Sequence, residues 1–263
     1  MKFKLLSVAT LLVVAGVCTA QDYQFFSSAG YSTEKDSDID FVNLGGQYYF
    51  NPIEVRGPFN EFDFLITESN IQANYVDVNT PFGSFDATTL AADIFLGKML
   101  VGGRYSDFEG DSDGELKLGY LITNNFLVDV RLQDSDSPVD AIFSATYQHN
   151  LSNDTYLGMK ISTDEELNNA SLSARYFTAI SNGRYYALTF GYDNQDFVSD
   201  NWVIGGDYYF NKYSSLGARL GDGVVGISAS HFFTPNFSVS GAYNFVSDEF
   251  SGDVFSLNVA YQL

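Results

Sequence analysis

The chain has little of what staples or punctuates a soluble fold: one cysteine, one tryptophan, two histidines and five prolines in 263 residues. A single cysteine leaves no material for a disulfide framework or a cysteine-ligated zinc module. Basic residues are scarce as well, 13 Lys+Arg against 33 Asp+Glu, giving a formal net charge of −20. Nucleic-acid binding wants the opposite balance, so no nucleic-acid partner is expected. Beyond Ala20 no apolar run approaches the ~20 residues that a membrane helix needs. What abounds is aromatic: 24 Phe and 18 Tyr. Disordered acidic chains are depleted in such residues, so the chain folds.

The first twenty residues stand apart. Lys2 and Lys4 precede the apolar run Leu5 to Val17, which ends in the small residues Cys18-Thr19-Ala20. This is the grammar of a secretory signal peptide, with cleavage expected after Ala20. Lipid attachment at Cys18 is disfavoured because Val17 is bulky where a small residue is required. The domain reading is thus a signal peptide at 1–20 and one domain at 21–263. Removing the leader takes both lysines and the only cysteine, and leaves 11 basic against 33 acidic residues, a charge of −22. A cysteine-free chain suits an oxidising compartment. Without a membrane helix, the exported protein is either soluble or a β-barrel.

From residue 21 on the pattern has period two. In the last nine residues Phe255, Leu257, Val259, Tyr261 and Leu263 share one face, and Ser256, Asn258, Ala260 and Gln262 the other. Such alternation is a strong strand signal. It predicts sixteen strands, near 23–32, 39–50, 69–79, 88–97, 100–107, 114–122, 126–133, 139–148, 154–162, 169–179, 184–193, 200–210, 213–221, 223–233, 237–246 and 252–263. The one weak helical pattern runs from Pro58 to Ile66. Connections alternate between short turns, such as Thr123-Asn124-Asn125 and Ser181-Asn182-Gly183, and acidic loops at Glu34 to Asp38, Asp107 to Asp113, Asp134 to Asp140, Asp164 to Glu166, Asp193 to Asp200, Asp222 and Asp248 to Asp253. Two connections fit less well: 80–87 carries only Asp86, and 51–68 is long. A soluble sandwich has no cause to sort its loops this way. A transmembrane antiparallel barrel has one, with short periplasmic turns and longer extracellular loops. The expected fold is therefore an all-β barrel of about sixteen strands, with fourteen or twelve as alternatives.

Aromatics cluster where strands meet the short turns, as in Tyr48-Tyr49-Phe50, Tyr208-Tyr209-Phe210, Tyr176-Phe177, Tyr185-Tyr186 and Phe232-Phe233. Barrels wear such rings as girdles at the bilayer interface. Arg104, Lys117, Arg131, Lys160, Arg175 and Arg219 fall out of phase with their apolar neighbours. Facing lipid at mid-depth, each would cost about 2–4 kcal/mol. Six together would exceed the stability of most domains. They are therefore expected to point inward and line a pore with Asp93 and Asp129, beside Asn43, Gln47, Asn258 and Gln262. Arg104, Lys117 and Arg131 come from consecutive strands and could form one basic stretch of wall. Two readings of this interior stay open: a solvated constriction, or an ion-pair network closing a plugged lumen, for example Asp129 with Lys117.

The acidic loops have three readings: a vestibule concentrating cations, divalent bridging to lipopolysaccharide, or simple solubility of an exposed rim. The run Asp107 to Gly114 lacks the spacing of a calcium loop, so no metal is assigned. His149 and His231 both sit at the turn end, and no serine has a placed base. No cofactor fingerprint occurs, and neither a catalytic nor a cofactor-binding residue is expected.

One stretch carries more than a pattern. Tyr49-Phe-Asn-Pro, followed by Gly57-Pro58-Phe59-Asn60-Glu61-Phe62-Asp63-Phe64-Leu65, resembles a motif of the putative general porins of Gram-negative bacteria, in particular those of marine gammaproteobacteria. The match covers Gly57, Pro58, Glu61, Phe64 and Leu65, with Phe59 in place of Leu. The resemblance implies an outer-membrane porin, a passive diffusion channel for ions and small hydrophilic solutes. Implied partners are outer-membrane lipid, lipopolysaccharide, and the barrel-assembly machinery acting on the last strand, Phe255 to Leu263. The chain ends in Leu263 where such proteins usually end in Phe or Trp. No outer loop is long enough to fold into the pore, the longest being Asn79 to Ala87. The segment from Gly57 to Leu65 reads equally as a periplasmic cap, an inward-folded constriction or a plain long turn. The alternative function is a non-conducting barrel acting as an adhesin or structural protein through its acidic loops.

Overall fold

The computed structural model describes residues 22–35, 37–134, 141–195, 198–247 and 252–263. The expected signal peptide and parts of the acidic connections at 134–140, 193–200 and 248–253 lie outside the described residues.

Sixteen strands follow in chain order: β1 Asp22–Glu34, β2 Ile39–Glu54, β3 Asn70–Thr80, β4 Gly83–Leu96, β5 Met99–Phe108, β6 Asp111–Thr123, β7 Phe126–Asp134, β8 Ala141–Ser152, β9 Thr155–Asp164, β10 Ala170–Ala179, β11 Tyr185–Gln195, β12 Val198–Tyr209, β13 Ser214–Gly221, β14 Val224–Thr234, β15 Phe237–Val246 and β16 Val254–Gln262. Each pairs antiparallel with its neighbours in sequence. β1 then pairs with β16, from Phe26 opposite Gln262 to Glu34 opposite Val254. The sheet closes into a barrel and has no free edge. The expectation of sixteen strands holds, and the alternatives of fourteen and twelve fall away.

The burial pattern is inverted relative to a soluble protein. On β8, Ser144, Thr146 and Gln148 are only 4–7% exposed, while the alternate residue Phe143 is 49% exposed. Ile161, Leu188, Ile227 and Leu257 are likewise exposed, each on a different strand. Soluble proteins bury such residues and expose the polar ones. An apolar outer face around a polar interior is the arrangement that hydrocarbon outside and water inside demand. Among the described residues no helix is long and apolar enough to cross a membrane. The spanning elements are the strands.

Two sequence expectations need correction. Between β3 and β4 the chain makes a tight turn, Thr80 pairing with Gly83 and its Oγ1 donating to Gly83 O at 2.8 Å. The longest expected outer loop, 79–87, is therefore mostly strand. The clustered aromatics also do not all face lipid, because parity sends adjacent residues to opposite faces. Tyr48 and Phe50 point out and meet edge-on at 5.8 Å, as do Tyr208 and Phe210 at 5.1 Å. Their neighbours Tyr49 and Tyr209, with Phe177, Tyr185 and Phe232, are buried inside. Each cluster is divided, its outward rings serving the girdle and its inward rings the lumen. The weak helical pattern at 58–66 forms no helix.

The two faces make a direct prediction. Leu118→Arg places a charge on the lipid face at the middle of β6 and should destabilise the barrel by about 2–4 kcal/mol. Ser240→Arg, on the inner face of β15, should cost under about 1 kcal/mol, since its charge reaches water. Urea unfolding in lipid vesicles measures both; equal losses would contradict the assigned facing.

Candidate functional site

After β2 the chain enters the lumen before it reaches β3. Residues 55–69 cross the barrel at its short-turn end and touch strands on every side. Phe59 packs edge-on against Tyr213 at 4.8 Å and tilted against Phe232 at 5.7 Å. Its carbonyl accepts a hydrogen bond from Gln262 Nε2 of β16 at 2.9 Å. Phe62 meets Tyr23 and Phe26 of β1 at 6.3 and 5.4 Å. Phe64 packs against the buried cluster of Tyr156, Phe177, Tyr185, Ala187 and Tyr209. Leu65 packs against Leu100, Leu121 and Leu127 of β5, β6 and β7. Only a segment inside the barrel can reach β1, β9, β16 and β5–β7 at once. Of the three readings open from the sequence, the inward fold is the one adopted.

Small residues make room for it. A Cβ on Gly158 of β9 would collide with the Phe64 ring. Gly57 has φ +124, a backbone region that L side chains rarely adopt, and a side chain there would strike Tyr185. Neither glycine tolerates even a methyl group without movement.

The polar anchor of the segment is Glu61, whose side chain is 2% exposed. Arg175 of β10 grips it with two nitrogens, Nε to Oε1 at 2.9 Å and Nη2 to Oε2 at 2.5 Å. Tyr156 OH donates to Oε1 at 2.5 Å and Tyr209 OH to Oε2 at 3.2 Å. A buried carboxylate loses several kcal/mol of hydration, which is recovered only when its lone pairs are filled. Here the fork geometry of arginine supplies two charge-assisted bonds and two phenols supply the rest. Asp63 is bound by Arg56 and by Gln148 of β8, and Gln148 Oε1 accepts from Leu65 N at 3.0 Å. Both ends of the crossing are fastened.

A second polar zone lies two to four residues outward on β4 to β9. Lys117 pairs with Asp93 at 2.9 Å, and not with Asp129, the example given from the sequence for a closing ion-pair network. The reason is Gly102, which stands between them in register and leaves its place open for the bridge. Arg131 pairs with Glu115 at 3.6 Å. Asp129 is 8% exposed, and its Oδ1 has no hydrogen-bond partner among the described residues. Arg104, Lys117, Arg131 and Lys160 surround one cavity of about 110 Å³.

Of the eight residues singled out from the sequence, six gather here: Asp93, Arg104, Lys117, Asp129, Arg131 and Lys160. Arg175 instead holds the crossing segment. Arg219 stands apart on β13, its Nε donating to Asn244 Oδ1 at 2.9 Å. Sequence reasoning missed Glu61, Asp63, Glu115 and the inward tyrosines 156 and 209. Glu115 shares the parity of Lys117 and was open to the same argument. Glu61 lies in the motif stretch, but nothing in the sequence names its partner 114 residues away.

With this geometry in hand, comparison with known proteins is informative. A family model described as "Putative general bacterial porin" matches residues 1–263. No curated protein sequence matches the chain. Among solved structures, the Acinetobacter baumannii outer membrane protein Omp33 superposes with a TM-score of 0.58 at 16% identity, covering 93% of this chain and 100% of that one. A mutant of Rh. blastica porin gives 0.52 at 12% identity, covering 91% and 99%. A bacterial polysaccharide outer membrane secretin gives 0.52 at 10% identity, covering 92% and 99%. At these identities the likeness is one of fold.

Removing Arg175 strands a buried carboxylate, a change that typically costs about 3–5 kcal/mol. Arg175→Met should therefore release the crossing segment while the sixteen-strand wall stays folded. Chymotrypsin should then cut the folded barrel at Phe59, Phe62 or Phe64, sites protected in the parent protein. Equal protection of the two proteins would show that Glu61 is not the anchor.

Proposed function

The chain belongs to the putative general bacterial porins, and from that membership we propose how its lumen governs passage. As a porin of the Gram-negative outer membrane it forms a passive diffusion channel for ions and small hydrophilic solutes. Family and fold give the role of a channel rather than an enzyme, and the reading as a non-conducting adhesin gives way to it. The finer proposal has two parts. Arg104, Lys117, Arg131, Lys160, Arg175 and Arg219, with Asp93 and Asp129, line the pore and set its field. Segment 55–69 narrows it at the periplasmic end.

One observation carries this reading: the strand register turns all eight residues to the face opposite the exposed apolar side chains. Cations on a wall with restricted water act more strongly than in bulk, because the effective dielectric is lower. They favour anions in the pore even though the whole chain is acidic. The acidic loops then belong to the extracellular rim, where they meet lipopolysaccharide. The last strand is the one offered to the assembly machinery, after a leader cut at Ala20 has directed export.

Planar-bilayer recording in a KCl gradient tests both parts. Replacing Arg104, Lys117 and Arg131 together by Gln should move the reversal potential toward cation selectivity; an unchanged potential would sink the assignment of the basic wall. Gly158→Leu fills the seat of Phe64 without altering charge and should raise single-channel conductance at least twofold. Identical conductance would mean that segment 55–69 does not restrict the path.

A further inference from the structure

Resting on that reading of a solvated lumen, we infer that the cavity between β4 and β9 is a binding site for small monocarboxylates. Its lining contains four cations, Arg104, Lys117, Arg131 and Lys160, and two carboxylates, Asp93 and Glu115. Both carboxylates are already engaged, Asp93 by Lys117 and Glu115 by Arg131. Arg104 and Lys160 have no ion pair or hydrogen bond among the described residues. The cavity therefore presents two cations without a direct partner, Arg104 on β5 and Lys160 on β9, the latter also within the field of Asp129.

Charge selects the class of ligand. Asp129 lies on the same inner face beside the cavity and is the third carboxylate whose charge meets those of Lys117, Lys160 and Arg131. Four cations against three carboxylates leave an excess of one positive charge. A monoanion neutralises it. A dianion would add a negative charge beside Asp93 and Glu115 and be repelled. The planar fork of Arg104 matches the two oxygens of a carboxylate, and Lys160 adds a point charge. Gln72, also on the lining, offers an amide to a hydroxyl group on the same molecule.

The cavity, about 110 Å³ and partly open to the lumen, is large enough for an acid of two to four carbons. Position gives the site a purpose. Arg104 lies four residues outward from Leu100, and Lys117 four from Leu121, where Leu65 seats the crossing segment. At ~3.4 Å per residue the site is within about 14 Å of the constriction, on its outer side. A solute entering from the loop end meets this charge before it meets the segment.

The probe is lactate, and the measurement is saturation-transfer NMR on the purified full-length barrel in detergent, with folding checked by heat-modifiable gel mobility. Transfer to the lactate methyl protons should be clear for the parent protein and for Lys98→Gln, a turn residue remote from the cavity. It should fall at least fivefold in Arg104→Gln/Lys160→Gln and be retained in the charge-keeping Arg104→Lys/Lys160→Arg. Acetate should displace lactate, ethylammonium should not, and inorganic phosphate at pH 8 should be weaker than acetate. Undiminished transfer in the Gln double variant overturns the site; stronger displacement by phosphate overturns the monocarboxylate class. Current in KCl is recorded separately, so a conducting barrel that ignores lactate removes this site and leaves the channel standing.

Discussion

In hydrocarbon, a backbone N–H or C=O without a partner costs several kcal/mol, and the pairing of β1 with β16 is what removes the last such edge. Closure then imposes strict parity. Every second residue of each strand meets lipid and the others meet the lumen. The inverted burial, the inward cations and the outward girdle all follow from that division. Because closure joins the first strand to the last, residues at the two ends of the chain share one wall. Gln262 on β16 thus reaches Phe59 more than 200 positions earlier.

Within that wall the balance of energies differs from place to place. Glu61 is nearly fully desolvated and is tolerated because four bonds to Arg175, Tyr156 and Tyr209 replace its water. Phe59, Phe62, Phe64 and Leu65 add apolar burial on either side. The segment is therefore a small core built inside a polar pore. The basic cavity is organised in the opposite way. Its carboxylates pair with only part of the cationic wall, and Arg104 and Lys160 have no ion pair or hydrogen bond among the described residues. One zone spends its charge on structure and the other keeps charge in reserve.

Most of the architecture was legible in the sequence because period two is a local property that survives without knowledge of contacts. Sixteen strands, their approximate limits and the alternation of turns and loops were all read from it. Parity also placed Lys117 and Arg131 on one face. Two readings failed for one shared reason: they assigned a function to a cluster without following parity and register across strands. Adjacent aromatics such as Tyr208 and Tyr209 were taken together as girdle, although they point to opposite sides. Asp129 was offered as an example of a partner for Lys117, although Gly102 opens the way to Asp93.

The amino-acid sequence by itself determined the barrel, its strand number and which residues turn away from lipid, since alternation and the cost of a charge in hydrocarbon act residue by residue. Only the tertiary structure decided what fills the lumen. Whether 55–69 remained a turn or crossed the pore depended on Gly158, Arg175, Tyr209 and Gln262 converging on it from distant strands. Such convergence is set by closure and register, and no local pattern encodes it.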